Sequence, residues 1–232
     1  MKKFTVLLIV CGFMLINLGN AQDVQFGVKG SFLTSTLNSQ GNGWGKMTPG
    51  YDAGIFAQYN ISDKFGVSLE PTFAQKGIND FDPYLIYYKG FPLLTDINNE
   101  PINYKSHSLV LSVISLPILA QLSMDMGGMK MRLFAGPSFD FISKATHLME
   151  HKLSETDEGS NSEAVATERF KYTDYTAVVG IGFDIEMKPI DLRFDLKYQH
   201  GFTDINNVDG KPTLYTRTFG VSLGIGLEKL FF

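Results

Sequence analysis

The side chains of this 232-residue chain that are best suited to acid–base or metal chemistry are its four histidines, His107, His147, His151 and His200. His147 and His151 stand four residues apart, a spacing that would align two zinc ligands on one face of a helix. Their segment is not the metalloprotease motif, and its surroundings are polar. We therefore expect His147 and His151 on the surface of a loop. His107 and His200 flank predicted strand ends, where we expect rim positions and no acid–base role.

Two acidic segments have the composition of cation-binding loops. Residues 144–171 carry Glu150, Glu155, Asp157, Glu158, Glu163 and Glu168. They could bind divalent cations shared with lipopolysaccharide, but a solvated acidic loop is the simpler interpretation. Residues 204–210 resemble a calcium loop except at Val208, where that motif requires Asp or Asn, so a turn that ends in Asp-Gly explains them better. The sequence predicts no catalytic, cofactor-binding or metal-binding residue and no cofactor.

The first 21 residues have the composition of a secretory signal peptide. Two lysines precede an apolar run over residues 4–18, and Gly19 and Ala21 suit cleavage before Gln22. The alternative is a retained membrane anchor, but the run is shorter than the roughly 20 residues that a spanning helix needs. Cys11 lies too early for a lipoprotein signal, and we interpret it as an ordinary apolar residue of the signal peptide.

Removal of this segment would change the charge and the cysteine content of the chain. Without Lys2 and Lys3, 18 basic residues stand against 24 acidic ones, a net charge of −6. Without Cys11 no cysteine is left, which excludes disulfides, thiol catalysis and cysteine-based metal sites. An acidic balance without clusters of lysine and arginine also argues against nucleic acid as a partner.

Eight segments of the remaining chain alternate between apolar and polar residues with the period of two that β-strands have. They cover residues 24–34, 50–61, 65–78, 108–124, 130–143, 172–187, 190–202 and 216–232. Short turns at 62–64, 125–129 and 188–189 alternate with long loops at 35–49, 79–107, 144–171 and 203–213. This is the layout of a bacterial outer-membrane barrel. The sequence thus predicts an all-β fold, a single eight-stranded antiparallel transmembrane β-barrel with short periplasmic turns and long extracellular loops.

The polar face of these strands carries charges of both signs in nearly equal number. They are Lys29, Glu70, Lys76, Lys130, Arg132, Asp140, Asp184, Glu186, Arg193, Asp195, Lys197 and Glu228. Facing lipid near the bilayer centre, an arginine or lysine would cost roughly 2 to 4 kcal/mol, whereas inside the barrel the two signs can pair. Five glycines share this face and relieve crowding in a narrow interior: Gly180, Gly182, Gly220, Gly224 and Gly226. We predict an apolar outer face, a polar interior filled by a structural charge network, and no large aqueous channel.

The fourth segment does not keep one parity. Leu109, Leu111 and Val113 occupy odd positions, whereas Ile114 and Ile118 occupy even ones. A β-bulge near Val113 would restore a common facing for these apolar side chains.

The last segment, residues 216–232, is the predicted closing strand of the cylinder. We expect it to pair with residues 24–34, because an open strand edge in lipid leaves backbone groups unsatisfied at a cost of several kcal/mol each. The chain then ends on Phe231 and Phe232, which resemble the aromatic end by which outer-membrane barrels are recognised for assembly.

Several segments resemble the PorT-like outer-membrane β-barrel family. They are residues 115–122 (SLPILAQL), 135–141 (AGPSFDF), 178–187 (VVGIGFDIEM), 195–205 (DLKYQHGFTDI) and 217–228 (RTFGVSLGIGLE). The resemblance extends over essentially all of residues 22–232, in barrel pattern as much as in sequence. It implies an eight-stranded barrel in the outer membrane of a Bacteroidetes-type bacterium. The family's namesake is linked to a protein-secretion apparatus, and the resemblance brings no catalytic residues with it.

These patterns predict a signal peptide over residues 1–21 and one outer-membrane β-barrel domain over residues 22–232, located in the cell outer membrane. We expect an integral membrane protein without a catalytic site that acts through its extracellular loops or as a component of an envelope or secretion assembly. The expected partners are the lipid bilayer, lipopolysaccharide, the barrel-assembly machinery, and envelope or secretion proteins. The alternatives are a small porin or adhesin-type barrel, a membrane-embedded enzyme, and a soluble lipocalin-like barrel.

Overall fold

The alternating segments form the strands of the computed structural model, which describes residues 24–39, 45–83, 86, 104–151, 160–187 and 190–227. The strands are β1 (Val24–Ser39), β2 (Thr48–Asn60), β3 (Phe65–Leu69), β4 (Thr72–Asn79), β5 (Tyr104–Asp125), β6 (Met129–His151), β7 (Ser160–Val165), β8 (Thr173–Met187), β9 (Ile190–Gly201) and β10 (Leu214–Gly226). A 3₁₀ turn, Thr167–Arg169, precedes β8. Among the described residues, no helix has the length and apolar character that crossing a membrane requires.

Eight strand positions form one closed ring of antiparallel neighbours. β1 pairs with β2, and β5, β6, β8, β9 and β10 follow one another around the ring. β3 and β4 share one position between β2 and β5. Pro71 separates these two halves because it has no N–H for the ladder, although its carbonyl still accepts the Ile55 N–H at 3.1 Å. The predicted eight-stranded antiparallel barrel is confirmed.

The closing strand pairs as the sequence predicts. β10 lies against β1 from the Gly27/Gly226 pair to the Ser39/Leu214 pair, so within the described strands the membrane-spanning wall closes without an open edge. At the end of the barrel where β1 begins, Ile61 donates its N–H to the Phe65 carbonyl at 2.8 Å in the turn before β3. The predicted turn at 188–189, the signal peptide and Phe231-Phe232 lie outside the described residues.

The spanning part of the ring is apolar outside and charged inside. Phe32, Ile55 and Val221 are 63%, 58% and 56% exposed, whereas Lys29 and Asp195 are 6% and 3% exposed. A continuous outer band of exposed apolar side chains is the surface that a membrane barrel presents to lipid. The predicted assignment of the two faces is confirmed.

The interior is not polar throughout, which corrects the prediction for the fourth segment. The register of β5 and β6 does shift at Val113, but the extra residue is Ser143 on β6, so β5 keeps its parity. Leu109, Leu111 and Val113 consequently point inward. They belong to a cluster of buried apolar side chains inside the extracellular end of the barrel, which we call the outer apolar cluster. Its other members are Leu33, Leu37, Ala74, Ile78, Phe81, Ile86, Ile142, Ala145, Ala166, Phe170, Ile205 and Leu214.

The predicted loop 144–171 is also corrected, because much of it is strand. β6 continues to His151, and β7 returns beside it from Ser160 to Val165. Lys144 is exposed opposite Ser112. It marks the level at which the band of lipid-facing apolar side chains on the outside of the barrel ends. We call the strands beyond this level the outer extension: residues 104–112 of β5, residues 144–151 of β6, and β7. It rises on the side of the long connections, which is the extracellular side of an outer-membrane barrel.

Candidate functional site

The spanning part of the interior contains a network of buried ion pairs. Lys29 Nζ lies 2.5 Å from Glu70 Oε2 and 3.5 Å from Asp195 Oδ2. Arg132 bridges two strands, since its Nε is 2.6 Å from Asp184 Oδ2 and its Nη2 is 2.6 Å from Asp195 Oδ1. Each of these interior charges has a partner of opposite sign on another strand, as the sequence predicts.

Arg193 extends this network toward the periplasmic end. Its Nε is 3.4 Å from Asp184 Oδ1, and its guanidinium also donates a hydrogen bond to Gln58 Oε1. The guanidinium carbon lies 4.3 Å from the centre of the Phe56 ring, a cation–π geometry. The Phe56 ring therefore contacts a buried charge of the polar interior, although Phe56 is a large apolar residue.

A second group of ion pairs lies nearer the outer end. Lys76 Nζ is 2.7 Å from Asp140 Oδ2 and 2.8 Å from Gln199 Oε1. Lys197 Nζ is 2.6 Å from Asp52 Oδ2. Asp52 is absent from the predicted set of interior charges. Its even position in β2, which it shares with Gln58, is the signal that would have found it.

Glycines provide the space that these long side chains occupy. A Cβ atom on Gly182 would lie 2.4 Å from Asp195 Oδ1 and 2.6 Å from Arg132 Nη2. A Cβ atom on Gly220 would lie 2.8 Å from Lys197 Cε. The predicted role of glycine in relieving crowding inside a narrow barrel is therefore confirmed at these two positions.

Little free volume remains in the middle of the lumen. The cavity beside Lys29, Glu70 and Lys76 has a volume of about 20 Å³, enough for about one water molecule. A vestibule of about 390 Å³ opens between the periplasmic turn at Ser62 and Arg193. At the other end, the outer apolar cluster fills the space between the strands. In the described part of the chain, the interior is thus packed between the vestibule and the outer extension.

The histidine prediction is wrong for His147, which is buried inside the outer extension. His107 Nδ1 lies 3.2 Å from His147 Nε2, and the ring of Phe81 packs edge-on against His147 with centroids 5.2 Å apart. The cause is the continuation of β6, whose alternation turns Ala145, His147 and Met149 inward. The side chain of His151 lies outside the described residues.

The environment of the two histidines disfavours their charged forms. Burial, together with the neighbouring His107 ring, lowers the pKa of His147 to about 4. Burial also lowers the pKa of His107, although Asp82 and Asp80 oppose this shift. Both rings lie beyond Lys144 and thus outside the lipid band. His200 is half-buried at the outer end of β9, where Tyr198 Oη lies 3.1 Å from its Nδ1, so its predicted rim position is confirmed.

Acidification should loosen the outer extension before the rest of the barrel. An unfolded histidine has a pKa of about 6.5, so an opened extension binds more protons than the closed one. The stabilisation from neutral His147 is complete above about pH 6.5 and is lost as the pH falls toward about 4. We expect amide hydrogen exchange of β7, corrected for its intrinsic pH dependence, to be at least several-fold faster at about pH 5 than at about pH 7.

The variant His147→Leu is the matched control for this prediction. It keeps an apolar side chain of similar size under Phe81 and removes the titrating group. Its exchange in β7 should depend much less on pH. If the pH dependence were the same in both proteins, the titration of His147 would not control the extension.

The segment with the calcium-loop composition is an ordered turn. Asp204 Oδ1 accepts the backbone N–H groups of Asn206 at 3.0 Å and Leu214 at 2.8 Å. Gly210 adopts a positive φ of 71°, which explains the Asp-Gly sequence. The described residues contain no group of three or more His, Cys, Asp or Glu side chains arranged to hold a metal ion.

A closed antiparallel ring with an apolar band outside and paired charges inside defines a transmembrane β-barrel of the outer-membrane type. The chain belongs to the family described as outer membrane protein beta-barrel domain, whose model matches residues 20–207. It is therefore an integral protein of the outer membrane.

Solved structures of outer-membrane barrels resemble the chain at low sequence identity. Neisserial surface protein A is 16% identical, with 88% of this chain and 96% of that chain covered and a TM-score of 0.49. Ail, the attachment invasion locus protein of Yersinia pestis, is 12% identical, with 88% and 99% covered and a TM-score of 0.43. The N-terminal β-barrel domain of Pseudomonas aeruginosa OprF is 8% identical, with 84% and 96% covered and a TM-score of 0.32. No curated protein sequence matches the chain.

Proposed function

We propose that this protein is a non-enzymatic, PorT-like barrel of a Bacteroidetes-type outer membrane that acts through its extracellular surface, as a component of an envelope or secretion assembly. The observation that carries this proposal is the combination of a packed interior with strands that rise beyond the membrane. The outer extension consists of strands that the spanning wall does not need, because the outer apolar band ends at Lys144. Its strands present side chains and backbone to the cell exterior.

A role in solute conduction does not fit this interior. Lys29, Glu70, Arg132 and Asp195 are buried and paired across the lumen, and the central cavity of about 20 Å³ admits about one water molecule. Moving these charges apart to open a channel would leave buried charges without partners, which is strongly unfavourable. The extracellular function of an adhesin-type barrel, in contrast, would use the same outer extension.

An enzymatic role is not favoured by the two histidines either. The rings of His107 and His147 are held against each other and against Phe81. The interior carboxylates of Glu70 and Asp195 are neutralised by Lys29 and Arg132. We propose that neither the two histidines nor the interior carboxylates form a catalytic site, and that no cofactor is bound.

The test is chemical crosslinking in intact envelopes, followed by purification of the tagged protein. His147 and Ala164 form a hydrogen-bonded pair across β6 and β7, so an Asn-Gly turn can replace residues 148–163 and shorten the hairpin while the membrane-spanning ring is kept. We expect defined envelope proteins to be captured by the natural chain and to be lost with the shortened one. Equal capture by both proteins would contradict an extracellular role for the extension.

Planar bilayer recordings complete the test. The purified natural chain should give no stable single-channel conductance. Stable conductance would contradict the proposal and favour the small porin. Turnover of a lipid or peptide substrate that is lost in His107→Gln or His147→Gln would instead favour the membrane-embedded enzyme.

A further inference from the structure

We propose that the free edge of β7 binds an extended peptide segment with basic side chains at alternate positions, which it holds as an added β-strand. This inference rests on the proposed function, because it specifies the partner that the outer extension would hold. It concerns one edge and one outer face of the extension, and the barrel interior has no part in it.

β7 is an edge strand. It pairs with β6 on one side, from the Thr146/Val165 pair to the His151/Ser160 pair. β7 is the last strand of the sheet, next to β6, and in the described ranges no strand pairs with its other side. An unpaired edge presents a row of N–H and C=O groups, which is a template for an incoming extended chain.

The backbone register shows which groups face this edge. Ala166 donates its N–H to the Ala145 carbonyl at 2.9 Å, so this pair is a hydrogen-bonded one. Hydrogen-bonded and non-hydrogen-bonded pairs alternate along an antiparallel ladder. The backbone N–H and C=O groups of Asn161, Glu163 and Val165 therefore point away from β6, toward the free edge. An added strand would bond to these three residues.

The outer face of the extension indicates the chemistry of the partner. Glu163 is exposed, and Val165 is 74% exposed beside it. Glu150 lies on the same face, where its Oε2 accepts a hydrogen bond from Ser106 Oγ at 3.1 Å. Opposite charges on neighbouring strands stabilise their pairing. An incoming strand that places lysine or arginine on this face would lie directly beside Glu163 and Val165 of β7, with the carboxylate of Glu150 one strand further away on β6.

Charge also argues for such a peptide over a second copy of the chain. In an antiparallel pair of β7 strands, the Glu163 carboxylates of the two copies would lie close together. Like charges placed opposite each other in a sheet are destabilising. A basic segment of another protein replaces this repulsion with attraction.

The experiment measures fluorescence anisotropy of labelled peptides with the purified full chain in detergent micelles. The probe is an alternating Lys-Val peptide of six residues, the length of β7. Two control peptides have the same length: an alternating Glu-Val peptide, and the Lys-Val peptide with alternate backbone amides N-methylated on the side that would bond to β7. The first control reverses the charge, and the second removes the donors that an added strand needs while it keeps the charge.

We expect the Lys-Val peptide to bind, and each control peptide to bind about tenfold more weakly or not at all. Glu163→Lys should reverse the preference between the Lys-Val and Glu-Val peptides. Asn161→Pro removes one N–H at the free edge and leaves the ladder to β6 intact, so it should weaken binding without changing the thermal stability of the barrel.

Equal binding of the N-methylated peptide would overturn strand addition, and equal binding of the Glu-Val peptide would overturn the basic specificity. Absence of binding, or a stable dimer of the chain that Asn161→Pro dissociates, would also overturn the inference. These results are distinct from failure of the proposed function. If capture in envelopes still required residues 148–163, the outer extension would act through a different surface.

Discussion

Replacing Leu223 with arginine should prevent the barrel from assembling in a membrane. Leu223 lies on the outer face of β10, 49% exposed, between Gly30 of β1 and Phe194 of β9. An arginine at the middle of the lipid face costs roughly 2 to 4 kcal/mol, and here it would stand on the seam that closes the ring. The folded fraction after refolding into lipid vesicles, measured by the mobility shift of unheated samples on gels, should fall severely.

Tyr215→Arg is the matched control for this variant. Tyr215 is on the same face of the same strand, but near its outer end, opposite Asn38. Near the membrane interface the cost of an arginine falls to roughly 0 to 1 kcal/mol, so this variant should refold almost like the natural chain. Normal assembly of Leu223→Arg would mean that the odd-numbered face of β10 does not contact lipid.

Arg132→Met should destabilise the folded barrel by about 3 to 5 kcal/mol. Arg132 is 1% exposed, and its guanidinium is the shared partner of Asp184 and Asp195. Its removal leaves two carboxylates in the interior with fewer partners, and the cost of an uncompensated buried charge exceeds the gain from an apolar replacement. The measurement is the free energy of unfolding in urea, with the protein in detergent micelles.

Lys130→Met, two residues earlier on β6, tests whether burial is the cause. Lys130 Nζ is 2.8 Å from Glu186 Oε1, but both side chains are about half exposed. An exposed ion pair contributes about 0 to 1 kcal/mol, so this variant should change stability little. Similar losses for Arg132→Met and Lys130→Met would contradict the buried network as the main polar contribution to the stability of the barrel.

The period-two pattern predicted the spanning part of the barrel because the same rule, apolar side chains outward and charged side chains inward, holds along its whole height. Between lipid outside and a narrow interior, apolar side chains such as Val221 must point outward, and charges such as Lys29 must point inward. The closing pair of β10 and β1 followed from the same condition, since lipid cannot satisfy an open edge.

The rule reverses beyond the membrane, and there the sequence interpretation failed. Around the outer extension the outside is water, so apolar side chains such as Leu109 and Leu111 turn inward, as in a soluble protein. Along β5 the apolar residues change from odd to even positions at the membrane boundary, although the strand itself keeps its facing. The sequence interpretation explained this change as a bulge that restores a common facing. A parity change of this kind, next to an exposed charge such as Lys144, is a sequence signal for that boundary.

The outer extension was missed because acidic composition was given more weight than alternation. Residues 144–151 read KATHLMEH, in which Ala145, His147 and Met149 alternate with Lys144, Thr146, Leu148 and Glu150. The contact between His107 and His147 could not be predicted at all, since it depends on the pairing register of β5 and β6 across 40 residues of sequence. The free edge of β7 depends on the same register.

The most direct test of the whole account is maleimide labelling of single cysteines in cells. Cys11 is the one cysteine of the chain, and it lies in the segment predicted to be removed, so an introduced thiol is specific. A membrane-impermeant maleimide should label Glu163→Cys, in the outer extension, on intact cells. It should label Asp63→Cys, in the turn between β2 and β3, only after the outer membrane is permeabilised. Labelling of Asp63→Cys on intact cells, or recovery of the chain as a soluble periplasmic protein, would contradict an outer-membrane barrel whose extension faces the cell exterior.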